Sequence, residues 1–259
     1  MTPEIDLEVA AASDTGCVRA HNEDSTAADS KLGLYLVADG MGGYRAGEVA
    51  SAYAVTCIVR TLRRVLCDME APTTDLGRAL RDALRRANDL IYRAAESSDQ
   101  YRGMGTTLVG LLFHDDGVSI AHVGDCRAYR LRDGKLSRLT TDHTVQQELI
   151  DHGFCTPEQA AEIVSRSVVT RALGIDAAVT VDVSEQAVHV DDLYLLCSDG
   201  LNDMIDDASI AATLSANGGL HETAQRLIDL ANQRGGQDNI SVVLIRSLLQ
   251  LGLRDTNSD

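Results

Sequence analysis

The 259-residue chain contains no tryptophan, and aromatic residues make up only 3% of it. So few aromatic side chains leave little material for the stacking platforms that bind single-stranded nucleic acids or sugars. Basic residues are also scarce, since 23 Lys and Arg stand against 39 Asp and Glu, for a formal net charge of −16. A chain this acidic repels the phosphates of nucleic acids and of anionic lipids. We therefore expect neither nucleic acid nor membrane as a partner.

Long hydrophobic runs and paired cysteine motifs are absent as well. No run of about 20 apolar residues could span a bilayer, and the N-terminal residues lack the basic-then-apolar pattern of a signal peptide, so we expect a cytoplasmic protein. The six cysteines form no C-x-x-C pair, which favours free thiols over a zinc site or disulfides. With three prolines and 44% hydrophobic residues, the composition is typical of a globular protein with a substantial core.

The hydrophobic pattern predicts both strands and helices. Short runs rich in Val, Ile and Leu predict strands over 34–38, 106–113, 118–123, 128–131, 179–183, 193–197 and 240–245. Apolar residues at three- and four-residue steps predict helices over about 46–69 and 74–97, with a cap at 72–74, and two more over 206–214 and 221–233. Since the strands cluster and the helices come in pairs, we expect an α+β fold of antiparallel sheets with helices packed outside.

The length fits one large domain, and we take residues 1–250 as that domain and 251–259 as a short C-terminal tail. Residues 142–168 differ from the rest because they are polar and have helical fragments but no strand pattern. We interpret this segment as an insert that lies over the main body.

Aspartates recur where the predicted strands end or begin, each beside small or polar residues. Acidic residues also follow an arginine near the N-terminus. The positions concerned are Asp39 before Gly40, Asp125 after Gly124, Asp199 before Gly200, Asp238 before Asn239, and the pair Glu23-Asp24 after Arg19. A single Asp-Gly is most simply a turn after a strand, but a turn does not account for so many such sites together.

Carboxylates gathered at one edge of a sheet repel each other unless protons or cations lie between them. Oxygen ligands without His or Cys suit Mg²⁺ or Mn²⁺ better than Zn²⁺. The guanidinium of Arg19 could hold a phosphate through paired hydrogen bonds. Two cations about 3.5–4 Å apart can share a hydroxide and direct it at phosphorus. The pattern therefore predicts phosphoryl transfer to water without a covalent intermediate.

An ordered series of motifs over residues 10–246 resembles the metal-dependent serine/threonine protein phosphatases of type 2C. The motifs are Ser13-Asp-Thr-Gly16, Asn22-Glu-Asp24, Asp39-Gly-Met-Gly-Gly43, Gly103-Met-Gly-Thr-Thr107, Gly124-Asp-Cys-Arg-Ala-Tyr129, Thr170-Arg-Ala-Leu-Gly174, Ser198-Asp-Gly200 and Asp238-Asn-Ile240. The Asp39-Gly-Met-Gly-Gly form resembles the bacterial members. The resemblance implies a four-layer αββα sandwich, with two central antiparallel sheets flanked by pairs of antiparallel helices and a variable flap at 142–168 that touches protein substrates.

The resemblance also implies a role for each matched residue. Asp39 would bridge two Mn²⁺ or Mg²⁺ ions, with the carbonyl of Gly40 on one ion, and with Asp199 and Asp238 on the other. A third, weaker ion would lie between Asp125 and Asp199, with the backbone near Ser167 as a further ligand. Glu23 and Asp24 would accept hydrogen bonds from metal-bound water, and Arg19 would bind the substrate phosphate.

The chain departs from the family pattern at two motif positions. Animal members carry a histidine two residues after the bridging aspartate as the proposed proton donor, and here that position is Met41, so we expect a metal-bound water to protonate the leaving group. Cys126 replaces the usual serine, and we expect a small buried residue without a catalytic role. His21, His143 and His152 are interpreted as surface residues.

The sequence thus predicts a phosphatase that hydrolyses phosphoserine and phosphothreonine through a metal-bridged hydroxide. Its expected partners are phosphorylated proteins and a bacterial Ser/Thr kinase that it opposes, and a monomer is expected. Two alternatives stay open: a catalytically silent relative that only binds a partner, and a phosphatase for another class of phosphoester. The metal aspartates at 39, 199 and 238 are all present, which disfavours the catalytically silent relative. The site chemistry would be the same for another class of phosphoester, so it does not separate that alternative from a protein phosphatase.

Overall fold

The computed structural model describes residues 5–43, 46–67, 75–115 and 117–249, and these contain two five-stranded antiparallel sheets. The strand order of the first sheet is β1 (Ile5–Asp14), β10 (Ile240–Leu249), β9 (Leu193–Cys197), β6 (Arg127–Arg132), β7 (Lys135–Arg138). That of the second is β2 (Asp24–Asp29), β3 (Leu34–Met41), β4 (Gly105–His114), β5 (Gly117–Val123), β8 (Asp182–Gln186).

The two sheets pack face to face, and alternate residues of the central strands show the layering. Tyr35 and Val37 of β3 meet Tyr194 and Leu196 of β9 in the core between the sheets. The neighbouring residues of β3 turn outward into a second core beneath a helix pair, and those of β9 turn into a third core beneath the C-terminal helices. A strand buried on both faces must be apolar at every position, which is why these strands appear as continuous hydrophobic runs.

The helices form the outer layers. α1 (Ala46–Cys67) and α2 (Leu76–Ser97) cover the second sheet, and α6 (Asp207–Ser215) and α7 (Leu220–Gln233) cover the first. The predicted α+β sandwich of four layers is therefore confirmed. The cap of α2 was predicted at 72–74, which lies outside the described residues, and the observed cap is Asp75, whose carboxylate accepts the backbone N–H of Arg78 at 2.7 Å.

Three strands differ from the prediction. β1 and β2 were not predicted, because they lie at the edges of their sheets and carry few large apolar residues, with Asp6 and Glu8 interrupting β1. The strand expected at 179–183 is shifted to β8, since Val179 and Val181 are packed into the core beneath α1 and α2 before the chain joins the sheet. The Asp133-Gly134 pair between residues 129–131 and 135–136 also predicts a tight hairpin. The structure confirms it between β6 and β7, where the two residues have positive φ, of 50° and 74°.

The segment interpreted as an insert contains α3 (Val145–Asp151) and α4 (Pro157–Ile163). Its two ends are joined by an isolated bridge between Thr144 and Val169. The tail at 251–259 lies outside the described residues. No helix in the described part of the chain combines the length and the hydrophobicity needed to cross a membrane.

Candidate metal centre and active site

The predicted acidic residues meet because their strands share one edge of the sandwich. Asp24 at the start of β2 lies opposite Asp39 near the end of β3 in the antiparallel register. In the other sheet, the end of β9 lies beside the start of β10, with Cys197 opposite Val242. Asp199 lies two residues after the end of β9 and Asp238 two residues before the start of β10. Because the two sheets also meet at this edge, where Ser198 contacts Asp24, residues more than 200 positions apart in sequence come together.

Asp39 and Asp24 form the part of the site that the second sheet supplies. Asp24 accepts a hydrogen bond from the hydroxyl of Ser198 at 2.8 Å, while its other carboxylate oxygen is buried without a hydrogen-bond partner. Burial raises the pKa of Asp24 to about 6. Burial, followed by the nearby charges of Asp24, Asp199 and Asp125, holds the pKa of Asp39 well above its usual range.

Asp199 and Asp125 form a second part of the site. Asp199 is the first residue of the short helix α5 (Asp199–Asn202), and one of its carboxylate oxygens is buried without a hydrogen-bond partner. Burial and then repulsion from Asp125 raise the pKa of Asp199 well above its usual range. Asp125 is buried, and desolvation followed by the charge of Asp142 raises its pKa to about 7. The two carboxyl groups line one cavity of about 330 Å³.

Asp238 differs from these carboxylates because the cationic side chain of Arg19 is hydrogen-bonded to it. Its Oδ2 accepts a hydrogen bond from Nη2 of Arg19 at 2.5 Å, and its Oδ1 accepts the backbone N–H of Asn239 at 2.8 Å. The side chain of Arg19 is 53% exposed. Nε and Nη1 of Arg19 make no hydrogen bond to any described residue, so they are free to bind an anion.

Asn239 holds the loop that carries Arg19. Its Nδ2 donates to the carbonyl oxygens of Thr15 and His21, both at 2.9 Å, and its Oδ1 accepts the backbone N–H of Glu23 at 2.8 Å. Asn239 belongs to the Asp238-Asn-Ile240 motif, but no role was predicted for it. Its position directly after Asp238, a predicted metal ligand, was the sequence feature that could have indicated a role at the site.

Glu23 lies at the junction between this loop and α1. Its carbonyl oxygen accepts the hydroxyl of Ser51 at 2.6 Å, and its carboxylate lies against Gly47 in the first turn of α1. Burial raises the pKa of Glu23. A carboxylate at this place also faces the positive end of the helix dipole.

Two glycines of the Asp-Gly motifs are required by close packing. A Cβ at Gly40 would lie 2.2 Å from the carbonyl oxygen of Gly47, and a Cβ at Gly200 would lie 2.1 Å from that of Asn239. Each distance is far below a van der Waals contact, so a larger residue would push apart the segments that position Asp39 and Asp199.

Ser167, predicted as a backbone ligand for a third ion, lies on the exposed loop after α4. Its hydroxyl is hydrogen-bonded to that of Ser165 at 2.8 Å, and its carbonyl oxygen accepts the N–H of Val169 at 3.2 Å. The preceding residue, Arg166, lines the cavity of Asp125 and Asp199. The loop therefore reaches the cavity through Arg166.

Asp203 also lines this cavity and was not predicted. It lies four residues after Asp199, which is one helical turn, and this spacing was the signal in the sequence. Burial raises its pKa.

The histidine predictions have mixed outcomes. His21 and His152 are exposed, as predicted, but His143 is buried, so its assignment to the surface was wrong. Its ring stacks on that of His122 with centroids 4.6 Å apart, and its Nδ1 accepts the backbone N–H of Gly124 at 3.0 Å. The neutral ring then carries its proton on Nε2, which lies 3.3 Å from Asp182.

The two rings and Asp182 form the tightest group of possible metal ligands among the described residues, with ligand atoms within 4.8 Å of one another. The guanidinium of Arg171 lies 3.1 Å from Asp182 and 3.3 Å from Nε2 of His143. A cationic side chain thus already neutralises this carboxylate. The group ties His143, at the start of the 142–168 segment, and Arg171, just after its end, to β5 and β8 of the second sheet.

Cys126 is buried, as predicted, with its sulfur 3.1 Å from the hydroxyl of Thr107. Burial holds the pKa of its thiol well above the usual range, so it stays protonated. The described cysteines other than Cys67, whose side chain is not described, are free thiols, as expected.

The site fits divalent cations on the evidence of its own atoms. Four carboxyl groups have raised pKa values because they are buried near like charges, and two carboxylate oxygens have no hydrogen-bond partner; the groups concerned are those of Asp24, Asp39, Asp125 and Asp199. Cations would remove both penalties. The donor atoms are all oxygens, a set that suits Mg²⁺ or Mn²⁺.

Comparisons with known proteins show which family the chain resembles. Residues 18–243 match the family model described as protein phosphatase 2C. The chain is 42% identical over 239 residues to the serine/threonine protein phosphatase PstP of Mycobacterium tuberculosis, an alignment that covers 92% of this chain and 44% of that protein. It is 39% identical over 249 residues to the serine/threonine phosphatase stp of Listeria innocua, covering 92% of this chain and 96% of that protein.

The chain thus spans less than half of the mycobacterial relative but nearly all of the Listeria one. Among solved structures, it is similar to the catalytic domain of PstP in complex with two manganese ions, with a TM-score of 0.81 and 39% identity over 95% of this chain and 100% of that one.

Proposed function

The chain belongs to the protein phosphatase 2C family, and from that premise we propose that it is a serine/threonine protein phosphatase dependent on Mn²⁺ or Mg²⁺. The observation that carries the proposal is the buried group of carboxylates at the sheet edge, in which Asp24 and Asp199 each have an oxygen without a hydrogen-bond partner. Protein folding does not favour buried, unpaired and mutually repelling carboxylates. Bound cations would remove the repulsion between these carboxylates and would contact the oxygens that have no hydrogen-bond partner.

The residues that would hold two core ions are Asp39, the carbonyl of Gly40, Asp199 and Asp238, and a third, weaker ion would be held by Asp125 with Asp199. Such ions, when bound, supply a nucleophile from water at neutral pH and neutralise charge on the phosphoryl group. Ser167 is the weakest member of the proposed set, because its carbonyl already accepts a hydrogen bond within its own loop.

Arg19 would bind the substrate phosphate. Nη2 of Arg19 is held by Asp238, which fixes the side chain at the site, while Nε and Nη1 can donate to phosphate oxygens. Glu23 and Asp24 would accept hydrogen bonds from water beside the ions. Met41 cannot carry a proton, so protonation of the leaving oxygen falls to a group other than residue 41.

The proposed substrates are phosphoserine and phosphothreonine in proteins, including those modified by a bacterial Ser/Thr kinase that this protein would oppose. We further propose a cytoplasmic monomer with a single catalytic domain over residues 1–250, in which the segment 142–168 contacts the substrate protein. Arg166 at the edge of the acidic cavity supports a place for that segment near the site.

Hydrolysis of a phosphothreonine peptide, measured with added Mn²⁺ and with EDTA, tests the proposal. We expect turnover only with the metal, and loss of nearly all activity in Asp39→Asn. The control is Asp229→Asn, since Asp229 is an exposed carboxylate on α7 with no place in the site, and it should keep full activity.

The same assay separates the two alternatives. A catalytically silent binding protein would show no metal-dependent turnover on any phosphopeptide. Faster hydrolysis of a sugar phosphate or a phosphotyrosine peptide than of the phosphothreonine peptide would assign another substrate class. Full activity in Asp39→Asn would reject the proposed site.

A further inference from the structure

A groove between α1 and α2 lies apart from the acidic edge. It has a volume of about 410 Å³ and is lined by Tyr53, Thr56, Cys57, Arg60, Thr61, Arg64, Arg86 and Leu90. α1 begins beside the proposed metal site, where Gly47 packs on Gly40. Since an α-helix rises 1.5 Å per residue, Arg60 lies about 21 Å along the axis from the start of α1. The groove is therefore a second concave surface.

Three arginines at this groove lack the carboxylate partners that Arg63, Arg78 and Arg85 of the same helix pair have. Arg63 on the same helix is bonded to Asp29 at 2.7 Å, and Arg78 lies 3.8 Å from Asp82. In the described ranges, no carboxylate lies within 4.0 Å of the guanidinium of Arg60, Arg64 or Arg86, and none of the three makes a side-chain hydrogen bond. Arg60 and Arg64 are one turn apart on α1, and Arg86 faces them from α2.

The charge of this layer is opposite to that of the molecule. α1 and α2 carry eight arginines and four carboxylates, a balance of +4, which leaves −20 on the rest of the −16 chain. A local cationic surface on an anionic protein attracts negatively charged segments and orients them. Tyr53 and Leu90 at the same groove are 39% and 45% exposed and offer apolar contact.

We propose that this groove, defined by the eight lining residues above, binds an acidic segment of a partner protein. Carboxylates of the segment would pair with Arg60, Arg64 and Arg86, and an apolar side chain would enter between Tyr53 and Leu90. A protein segment fits better than a membrane or a nucleic acid, because the cationic area is small and concave, and the surrounding charge of −20 would repel an extended polyanion. This binding does not depend on the proposed phosphatase activity.

Fluorescence anisotropy with a labelled 12-residue peptide, in which leucines alternate with pairs of glutamates, tests the proposal. The groove variant is R60A/R64A/R86A, and the matched control is R78A/R81A/R85A, which removes the same charge from α2 outside the groove. We expect the groove variant to weaken binding at least about tenfold, because three ion pairs are lost together. The control should weaken it less than about threefold, since distant exposed charges are screened at physiological salt.

Alkylation of Cys57 locates the binding, because this half-buried thiol lines the groove. Saturating peptide should slow its modification by iodoacetamide, followed by mass spectrometry, and should leave that of Cys155 unchanged. Equal weakening in the two variants, no binding by the wild type, or unprotected Cys57 would overturn the proposal. Duplex DNA and anionic phosphatidylserine vesicles are tested in the same way. If either binds more tightly than the peptide, and if the groove variant loses that binding, the choice of a protein partner is overturned.

Discussion

Asn239 provides the sharpest test of how the fold positions the site. Its side chain makes three hydrogen bonds of 2.8–2.9 Å to the backbone of Thr15, His21 and Glu23, and so fixes the loop that carries Arg19. We predict that Asn239→Ala lowers both the stability of the protein and its affinity for phosphorylated substrate. The stability effect follows from geometry alone, whereas the kinetic effect also rests on the proposed function.

The expected magnitude follows from those three bonds. At about 0.5–1.5 kcal/mol each, their loss would cost roughly 1.5–4.5 kcal/mol. Residues 17–21 of the loop are exposed, so water can satisfy part of what is lost, and we expect a loss near the lower half of that range, about 2 kcal/mol. For a chain of this size the melting temperature should fall by about 4–8 °C.

Urea unfolding and thermal melting measure the stability, and the isosteric variant Asn239→Asp provides the control. A carboxylate keeps the acceptor for Glu23 but cannot donate to Thr15 and His21, so Asn239→Asp should be at least as unstable as Asn239→Ala. An Asp variant as stable as the wild type would refute the assigned donor roles.

A double-mutant cycle with Arg19→Ala tests whether Asn239 acts on substrate binding through that arginine. In the wild-type background, Asn239→Ala should raise KM for a phosphothreonine peptide. In the Arg19→Ala background the same change should raise KM much less, because the group it positions is gone. Equal effects in both backgrounds would show that Asn239 does not act through Arg19.

Three further perturbations test other parts of the structure. Asp39→Asn removes one of several buried like charges, so in EDTA it should raise the free energy of unfolding by about 1–2 kcal/mol. Mn²⁺ at 100 times its Kd should stabilise the wild type by about 2.7 kcal/mol. In thermal melts of Asp39→Asn, this stabilisation by Mn²⁺ should be absent. Gly200→Ala forces a Cβ against the carbonyl oxygen of Asn239, and urea unfolding should show a loss of about 1–3 kcal/mol. Burial opposes ionisation of Asp192, but its paired bonds with Arg132 at 2.6 Å outweigh this and lower its pKa; Asp192→Asn should therefore cost about 3 kcal/mol at pH 7, and the difference from wild type should shrink as the pH falls below about 4.

Hydrophobic patterning predicted the parts of the fold that are buried on both faces. β3 and β9 are apolar at nearly every position because each contacts two cores, so they stand out in the sequence. The edge strands β1 and β2 have one exposed side and polar residues, and their membership of the sheets depends on partners distant in sequence. No local pattern records that dependence.

The site shows the same division. The aspartates at strand ends were recognisable because each carries a local motif. The roles of Asn239 and Asp203, and the burial of His143, were not, because each depends on contacts with segments far away in the sequence. The cationic groove of Arg60, Arg64 and Arg86 was likewise hidden, since these residues of α1 and α2 come together only when the two helices pack against each other.

Anomalous X-ray diffraction from crystals of this protein soaked in manganese shows directly whether the carboxylates at the sheet edge bind metal ions. We expect at least two strong anomalous peaks at the sheet edge, in contact with the carboxylates of Asp39, Asp199 and Asp238. An anomalous map without peaks between these side chains, or with manganese only beside His122, His143 and Asp182, would contradict this expectation.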